Sequence, residues 1–356
     1  MNTRDLSSHE PYVPGRGLEE VARELGVAAA DLTKLSSNEN PYGPSPRAVE
    51  AMEAAVGGVH RYPKASHTDL TASLADEWGL DPAQVWVSPG ADGALDYLAR
   101  ATLAPGDGVL VPDPGFAYYA MSARYHNARV ETYPVTKPDD FAQSADRVLD
   151  AYDGERLVYL TSPHNPSGSE IALDEVRTLA ERVDPETLLV VDEAYGEYSA
   201  AESARTLVDE YDNVAVTRTF SKAYGLAGLR VGYGLVPESW ADAYARVNTP
   251  FAANDLACRA ANAALDDDDH LRRSIDGARR SRERLRDGLD VRTWPSGGNF
   301  VLAEVGDAAA VAEAAKREGV IVRDCGSFGL PGCIRVTAGT AEETAEGVAV
   351  LNRVTD

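Results

Sequence analysis

Short unbroken apolar runs, each bounded by Gly, Pro or Asp, fall at 85–88, 108–111, 157–160, 188–192, 214–217 and 231–236. Runs of that length without polar alternation suit strands buried on both faces of a parallel sheet. Between them, apolar positions at three- and four-residue spacing predict helices over 47–56, 69–78 and 93–103. The run 157–160, a helical stretch 173–183 and the run 188–191 make a compact βαβ unit. Residues 1–40 are polar and carry Pro11, Pro14, Gly15 and Gly17, which predicts an extended arm with one short helix over 18–25. After about Pro250, Ala- and Arg-rich helical sequence leads to a second strand group at 299–304, 320–323 and 333–336. The pattern predicts an α/β protein with a large, mostly parallel sheet and a second, smaller domain.

Composition narrows this picture. Hydrophobic residues make up 44% of the 356, enough for a full core. No apolar run approaches the ~18 residues that span a bilayer. The first ten residues lack the apolar stretch of a secretory signal. Three cysteines, Cys258, Cys325 and Cys333, suit reduced thiols in a cytoplasmic protein better than a disulfide framework. The net charge of −23 makes phosphate backbones and anionic lipid poor partners. Of the 34 basic residues only Lys34, Lys64, Lys137, Lys222 and Lys316 are lysine. An acidic, lysine-poor surface is expected of a halophile, where a Debye length of ~3 Å in molar salt screens self-repulsion.

Candidate chemistry gathers where strands end, the edge at which open parallel sheets bind ligands. One predicted strand runs into Ser162-Pro163-His164-Asn165-Pro166-Ser167-Gly168, and the next ends Asp192-Glu193-Ala194-Tyr195. A third leads through Arg218-Thr219-Phe220-Ser221-Lys222 to Gly228-Leu229-Arg230, and an upstream strand delivers Gly90-Ala91-Asp92-Gly93 into a helix start. A lysine that must shed its proton to act as a nucleophile cannot be replaced by arginine, which singles out Lys222 in a chain so poor in lysine. The run Asp266–Asp269 before His270 reads as a solvated helix start and not a metal site, because adjacent helical side chains diverge by about 100°. Neither a Walker A nor a Gly-x-Ser-x-Gly pattern occurs.

The ordered set resembles the fold-type I pyridoxal phosphate aminotransferases, and in detail those that act on histidinol phosphate. The resemblance runs from Pro11-Tyr12 to Arg335. It is carried by Leu35-Ser-Ser-Asn38-Glu39-Asn40-Pro41-Tyr-Gly43-Pro44, Arg61-Tyr62-Pro63, Asp192-Glu-Ala-Tyr195, Ser221-Lys222 with Gly228-Leu-Arg230, and Ile334-Arg335-Val-Thr-Ala-Gly-Thr340. It implies a fold-type I architecture: an N-terminal arm (1–35) packing on the small domain or a partner subunit, a large cofactor-binding domain (36–250) and a small α+β domain (251–356). It also implies that Lys222 forms the aldimine with pyridoxal 5'-phosphate and shuttles the substrate proton. Asp192 would pair with the ring nitrogen, Tyr195 and Asn165 with the ring oxygen, and Phe116 would stack on the ring. Ala91, Asp92, Thr219, Ser221 and Arg230 would hold the phosphate, joined by Tyr62 from a neighbouring subunit of a homodimer. Arg323 and Arg335 would bind the anion of glutamate or 2-oxoglutarate in one half-reaction and of histidinol phosphate in the other, in ping-pong order. Tyr12, Asn38, Glu39 and Asn40 would complete the substrate side.

His164 stands where the family more often has asparagine, Gly93 where an acidic residue is usual, and Pro114-Gly115-Phe116 where Pro-Thr-aromatic is typical. The rival readings are an aromatic or general amino-acid aminotransferase, an O-phosphothreonine decarboxylase and a non-catalytic module of the same fold. Retention of Lys222, Asp192 and Tyr195 speaks against the last.

Overall fold

The computed structural model describes residues 6, 7, 9, 11, 12, 15, 17–64 and 67–355. Its eleven strands are β1 (Thr33–Leu35), β2 (Val85–Ser88), β3 (Gly108–Asp113), β4 (Arg129–Pro134), β5 (Leu157–Thr161), β6 (Leu188–Asp192), β7 (Val214–Thr219), β8 (Gly232–Leu235), β9 (Phe300–Glu304), β10 (Val320–Asp324) and β11 (Cys333–Thr337). Seven form a sheet in the order β2-β8-β7-β6-β5-β3-β4, in which only β8 runs against the others. The other four form a second sheet, β1-β10-β11-β9.

The unbroken apolar runs have a direct structural cause. Along β5 and β6, Val158, Leu160, Leu189 and Val191 pack into one buried cluster, while Leu157, Tyr159, Leu188 and Val190 pack into another. Successive side chains point to opposite faces and both faces are covered, so no position is left for a polar residue. The helix Leu173–Arg182 makes the predicted crossover between these two parallel strands.

Two strands escape the pattern. β4 lies at the sheet edge with most of its side chains at the surface, so it carries no apolar run. β1 is three residues long and gains its place by pairing in parallel with β10, nearly 300 residues away. The helix expected from residue 93 begins at Gly90, three residues earlier, and so brings its N-terminus to the end of β2. Asp267 caps the helix Asp268–Gly288 by accepting from the His270 N–H at 3.2 Å, so the acidic run is a helix start. Among the described residues, no helix is long and apolar enough to cross a membrane, and no group of His, Cys, Asp and Glu could hold a metal ion.

Candidate active site

The carboxyl ends of β3, β5, β6 and β7 and the start of the helix Gly90–Thr102 surround a cavity of about 670 Å³. Tyr12, Asn38, Ala91, Asp92, Phe116, Asn165, Asp192, Tyr195, Thr219, Ser221, Lys222, Arg230, Arg323 and Arg335 all line it. The structure thus collects in one place side chains drawn from nearly the whole chain.

Asp192 ends β6 and is buried. The Tyr119 hydroxyl donates to its Oδ2 at 2.6 Å, and the Ala194 N–H donates to its Oδ1 at 3.0 Å. Burial pushes the carboxyl up to about 6, a rise that these two hydrogen bonds only partly oppose. Tyr119, whose proton is held by burial and by the adjacent carboxylate, was not visible as a site residue from sequence. It lies one helical turn after Phe116 in the helix Ala117–Tyr125, a spacing that also serves ordinary packing.

The Asn38 amide donates to the Tyr195 hydroxyl oxygen at 2.9 Å, which leaves the Tyr195 proton free to point into the cavity. Asn38 takes a left-handed conformation, φ 54°, which asparagine tolerates better than most residues. That turn sends the next two side chains elsewhere. Glu39 pairs with Lys34 at 2.8 Å near the surface, and Asn40 donates to the Ala223 carbonyl at 2.8 Å and to Ser274 at 2.9 Å. The substrate contacts implied for Glu39 and Asn40 therefore have no counterpart in this cavity; Asn40 instead anchors the backbone next to Lys222.

Lys222 is set apart from the other lysines. Lys34, Lys64, Lys137 and Lys316 each lie within 3.0 Å of a carboxylate oxygen. Among the described residues the Lys222 amine has no carboxylate partner, and it faces the cavity 5.4 Å from the centre of the Tyr195 ring.

At the rim, Arg230 donates to Asp92 at 2.9 Å and to Ser221 at 3.2 Å. Gly90, at φ 78°, admits this arrangement: a Cβ there would lie 2.5 Å from the Arg230 Nη2. The Ala91 and Asp92 amides occupy the first turn of the helix, where N–H groups lack intrahelical partners and the dipole favours an anion. On the opposite wall Arg335 is buried, donating to Asn165 Oδ1 at 2.5 Å and to the Ser36 carbonyl at 2.9 Å. Burial lowers its pKa, and no carboxylate neutralises it among the described residues. Arg323 lies beside it and donates to Ser327 at 2.9 Å. Tyr62 is absent from the cavity; its ring is 83% exposed and packs 4.9 Å from that of Phe251.

A family model described as aminotransferase class I and II matches residues 30–351. The chain belongs to the class I and II aminotransferases. It is 67% identical over 354 residues to histidinol-phosphate aminotransferase of Haloferax volcanii, covering 99% of this chain and 98% of that protein. The corresponding Halobacterium salinarum protein is 60% identical over 365 residues, with both chains fully covered. A crystal structure of histidinol-phosphate aminotransferase from Sinorhizobium meliloti, in complex with pyridoxal-5'-phosphate, superposes with a TM-score of 0.90 at 30% identity, covering 99% of this chain and 97% of that one.

Two departures from the family pattern in this aminotransferase have structural explanations. His164 is buried, its Nε2–H donating to the Pro114 carbonyl at 2.8 Å while the Ser167 hydroxyl donates to Nδ1 at 2.7 Å. Burial holds it neutral, with its pKa lowered to about 4. It ties the loop bearing Asn165 to the one bearing Phe116 and does not reach the cavity. At Gly93, a Cβ would lie 2.5 Å from the Pro89 ring, so this backbone leaves no room for an acidic side chain at that position.

The Asp192 carboxyl makes the unliganded aminotransferase pH-sensitive in a defined sense. Its pKa rises from an ordinary 3.8 to about 6 on folding, so the fold loses stability as pH climbs through that window. The loss is about 3 kcal/mol once both states are ionised. His164 acts in the opposite sense, favouring the fold as pH rises between about 4 and 6.5. Asp192→Asn separates the two. The cofactor-free variant should melt above the cofactor-free wild type at pH 7.5, by roughly 2–3 kcal/mol, and the two should converge only below about pH 3.8, the ordinary carboxyl value. Parallel thermal melts across that range check the result.

Proposed function

We propose that this aminotransferase moves amino groups between L-histidinol phosphate and 2-oxoglutarate/glutamate in histidine biosynthesis, with pyridoxal 5'-phosphate held at Lys222. The observation that carries the reading is the Lys222 amine, without a carboxylate partner among the described residues, in a cavity that ends on a buried arginine which no described carboxylate neutralises. The names of relatives 60–67% identical over almost the whole chain support histidinol phosphate as one of the two substrates.

The residues fit the cofactor. Asp192 is a buried carboxyl without a cationic partner among the described residues, and a protonated ring nitrogen would supply one. Arg230, Ser221, Thr219 and the Ala91 and Asp92 amides form a cup for its phosphate. Phe116 supplies an aromatic face, and Tyr195 and Asn165 supply groups for the ring oxygen. When bound, pyridoxal phosphate supplies an aldehyde that accepts an amine and a ring that withdraws electrons from the neighbouring carbon. Lys222 Nζ then acts as the base that takes the substrate α-proton and the acid that returns it. Asp192 keeps the ring nitrogen protonated, and the Tyr195 hydroxyl donates its free proton into the cavity. Arg335 and Arg323 bind the anion of either substrate, phosphate or carboxylate, so the two substrates occupy one site in turn. Tyr12, at the cavity mouth with its ring 6.3 Å from that of Phe116, closes over the bound substrate.

We read the protein as a cytoplasmic homodimer. Val56, Val59, Tyr62 and Phe251 leave an exposed apolar surface suited to a second copy, whose Tyr62 would reach the neighbouring cofactor phosphate. Functionally we divide the chain into an arm (1–35), a cofactor-binding domain (36–250) and a small domain (251–356). The −23 charge keeps such a protein soluble in molar salt, which its halophilic relatives support.

A donor screen with 2-oxoglutarate as acceptor tests the substrate. Histidinol phosphate should exceed phenylalanine and tyrosine at least tenfold in kcat/KM, or about 1.4 kcal/mol of transition-state discrimination. Equal rates would point to a general aminotransferase, and carbon dioxide release from phosphothreonine to a decarboxylase.

A further inference from the structure

One guanidinium behind the cavity touches all three segments that carry its chemistry. Arg218 lies in β7, directly before Thr219 and four residues before Lys222. Its Nε and Nη2 donate to Glu193 Oε2 at 3.1 and 2.8 Å, and its Nη1 donates to Glu197 Oε1 at 2.9 Å. Glu193 follows Asp192, and Glu197 comes two residues after Tyr195. The three side chains are only 5–7% exposed. The Trp78 ring covers the guanidinium at 4.7 Å, and a Cβ on Gly196 would lie 2.8 Å from Cζ, so the turn after Tyr195 presses directly on it.

The partners are unevenly shared. Glu193 also accepts from the Ala204 N–H and the Ser203 hydroxyl, both at 2.7 Å, whereas Glu197 Oε2 is buried with no partner among the described residues. One cation thus faces two carboxylates. Such a cluster contributes little net stability, because desolvation offsets pairing, but its directional bonds fix the groups that make them. Burial pushes the Glu197 carboxyl up and Arg218 draws it partly back; burial lowers the Arg218 pKa, yet the two carboxylates more than offset this. The other titratable groups around the cluster are the hydroxyls of Tyr198, Tyr224 and Tyr233, with Glu77 acting on Tyr224.

We propose that Glu193, Arg218 and Glu197 form a positioning unit that holds Asp192, Tyr195 and Lys222 in register and whose charge balance sets the protonation midpoint at Lys222. The proposal rests on the pyridoxal phosphate reading. It is tested on the cofactor-loaded enzyme by titrating the visible absorption band with pH in wild type, Glu197→Gln and Arg218→Lys, alongside thermal melts and steady-state kinetics. Glu197→Gln keeps an acceptor for Arg218 but removes a buried negative charge, so the midpoint should fall by about half a pH unit or more while the fold is retained. In Arg218→Lys one ammonium nitrogen replaces the three that hold the two carboxylates and cannot reproduce their fixed fork, so kcat should fall about tenfold or more with both KM values within about twofold of wild type. A folded, loaded Glu197→Gln with the wild-type midpoint overturns the proposal, and it decides alone if Arg218→Lys does not fold. A wild-type protein without a visible band overturns the cofactor reading and this proposal together, whereas a wild-type band with an unmoved variant midpoint overturns this proposal only.

Discussion

Replacing Lys222 with alanine is expected to lower turnover by roughly four orders of magnitude or more and to remove the visible band near ~400–430 nm of the loaded enzyme. The side chain makes no ion pair among the described residues, so its loss should leave the melting temperature almost unchanged and the effect confined to chemistry. Lys222→Arg sharpens the test. It keeps the positive charge, but a guanidinium does not surrender its proton near neutral pH and cannot serve as nucleophile or base. It should therefore be as inactive as the alanine variant. Single-turnover measurements of each half-reaction, read against the absorption spectrum, check both variants; appreciable turnover by Lys222→Arg would exclude the assigned role.

Arg335→Gln should lower kcat/KM about 100- to 1000-fold for histidinol phosphate and for glutamate alike, with the cofactor band intact. Arg335 is a buried cation whose observed partners, Asn165 and the Ser36 carbonyl, are neutral, and its Nε has no partner among the described residues. Phe300 and Phe328 flank it at 5.4 and 5.9 Å and exclude water. A guanidinium desolvated in this way is poorly compensated until an anion arrives, so its interaction with substrate is strong. For the same reason the unliganded Arg335→Gln protein should melt no lower than wild type. Arg335→Lys should fall between the two, because an ammonium lacks the bidentate fork. Separate kinetics of the two half-reactions, together with melts of the unliganded proteins, decide the matter. A variant impaired toward only one substrate would show that the two anions do not share this site.

Much of the large sheet was legible because burial on both faces leaves its mark on every residue of a strand. The runs 85–88 and 188–192 coincide with β2 and β6, whereas the exposed edge strand β4 left no such mark. The helix expected at 18–25 is present with those bounds, and Gly26 ends it in a left-handed turn. In the candidate site, Asp192, Tyr195 and Lys222 stood out because each lies at the end of a buried strand or within three residues of it, and Arg230 because it closes the run that begins at Lys222. Tyr119 and Arg218 did not, since a tyrosine in a helix and an arginine in a strand have many ordinary uses.

The sequence by itself determined the alternation of strands and helices, and with it which strand ends share one edge, because parallel βαβ units place every carboxyl end on the same side. It also determined that Lys222 is exceptional, through the scarcity of lysine. Only the tertiary structure decided that Asn38 reaches the cavity while Glu39 and Asn40 turn away, that Asn38 meets Tyr195 across 157 residues, and that Arg335 meets Asn165 across 170. It also decided that Lys222, unlike the other four lysines, has no acid beside it among the described residues. These are choices of partner between distant segments, set by how two sheets pack against one cavity, and local periodicity carries no information about them.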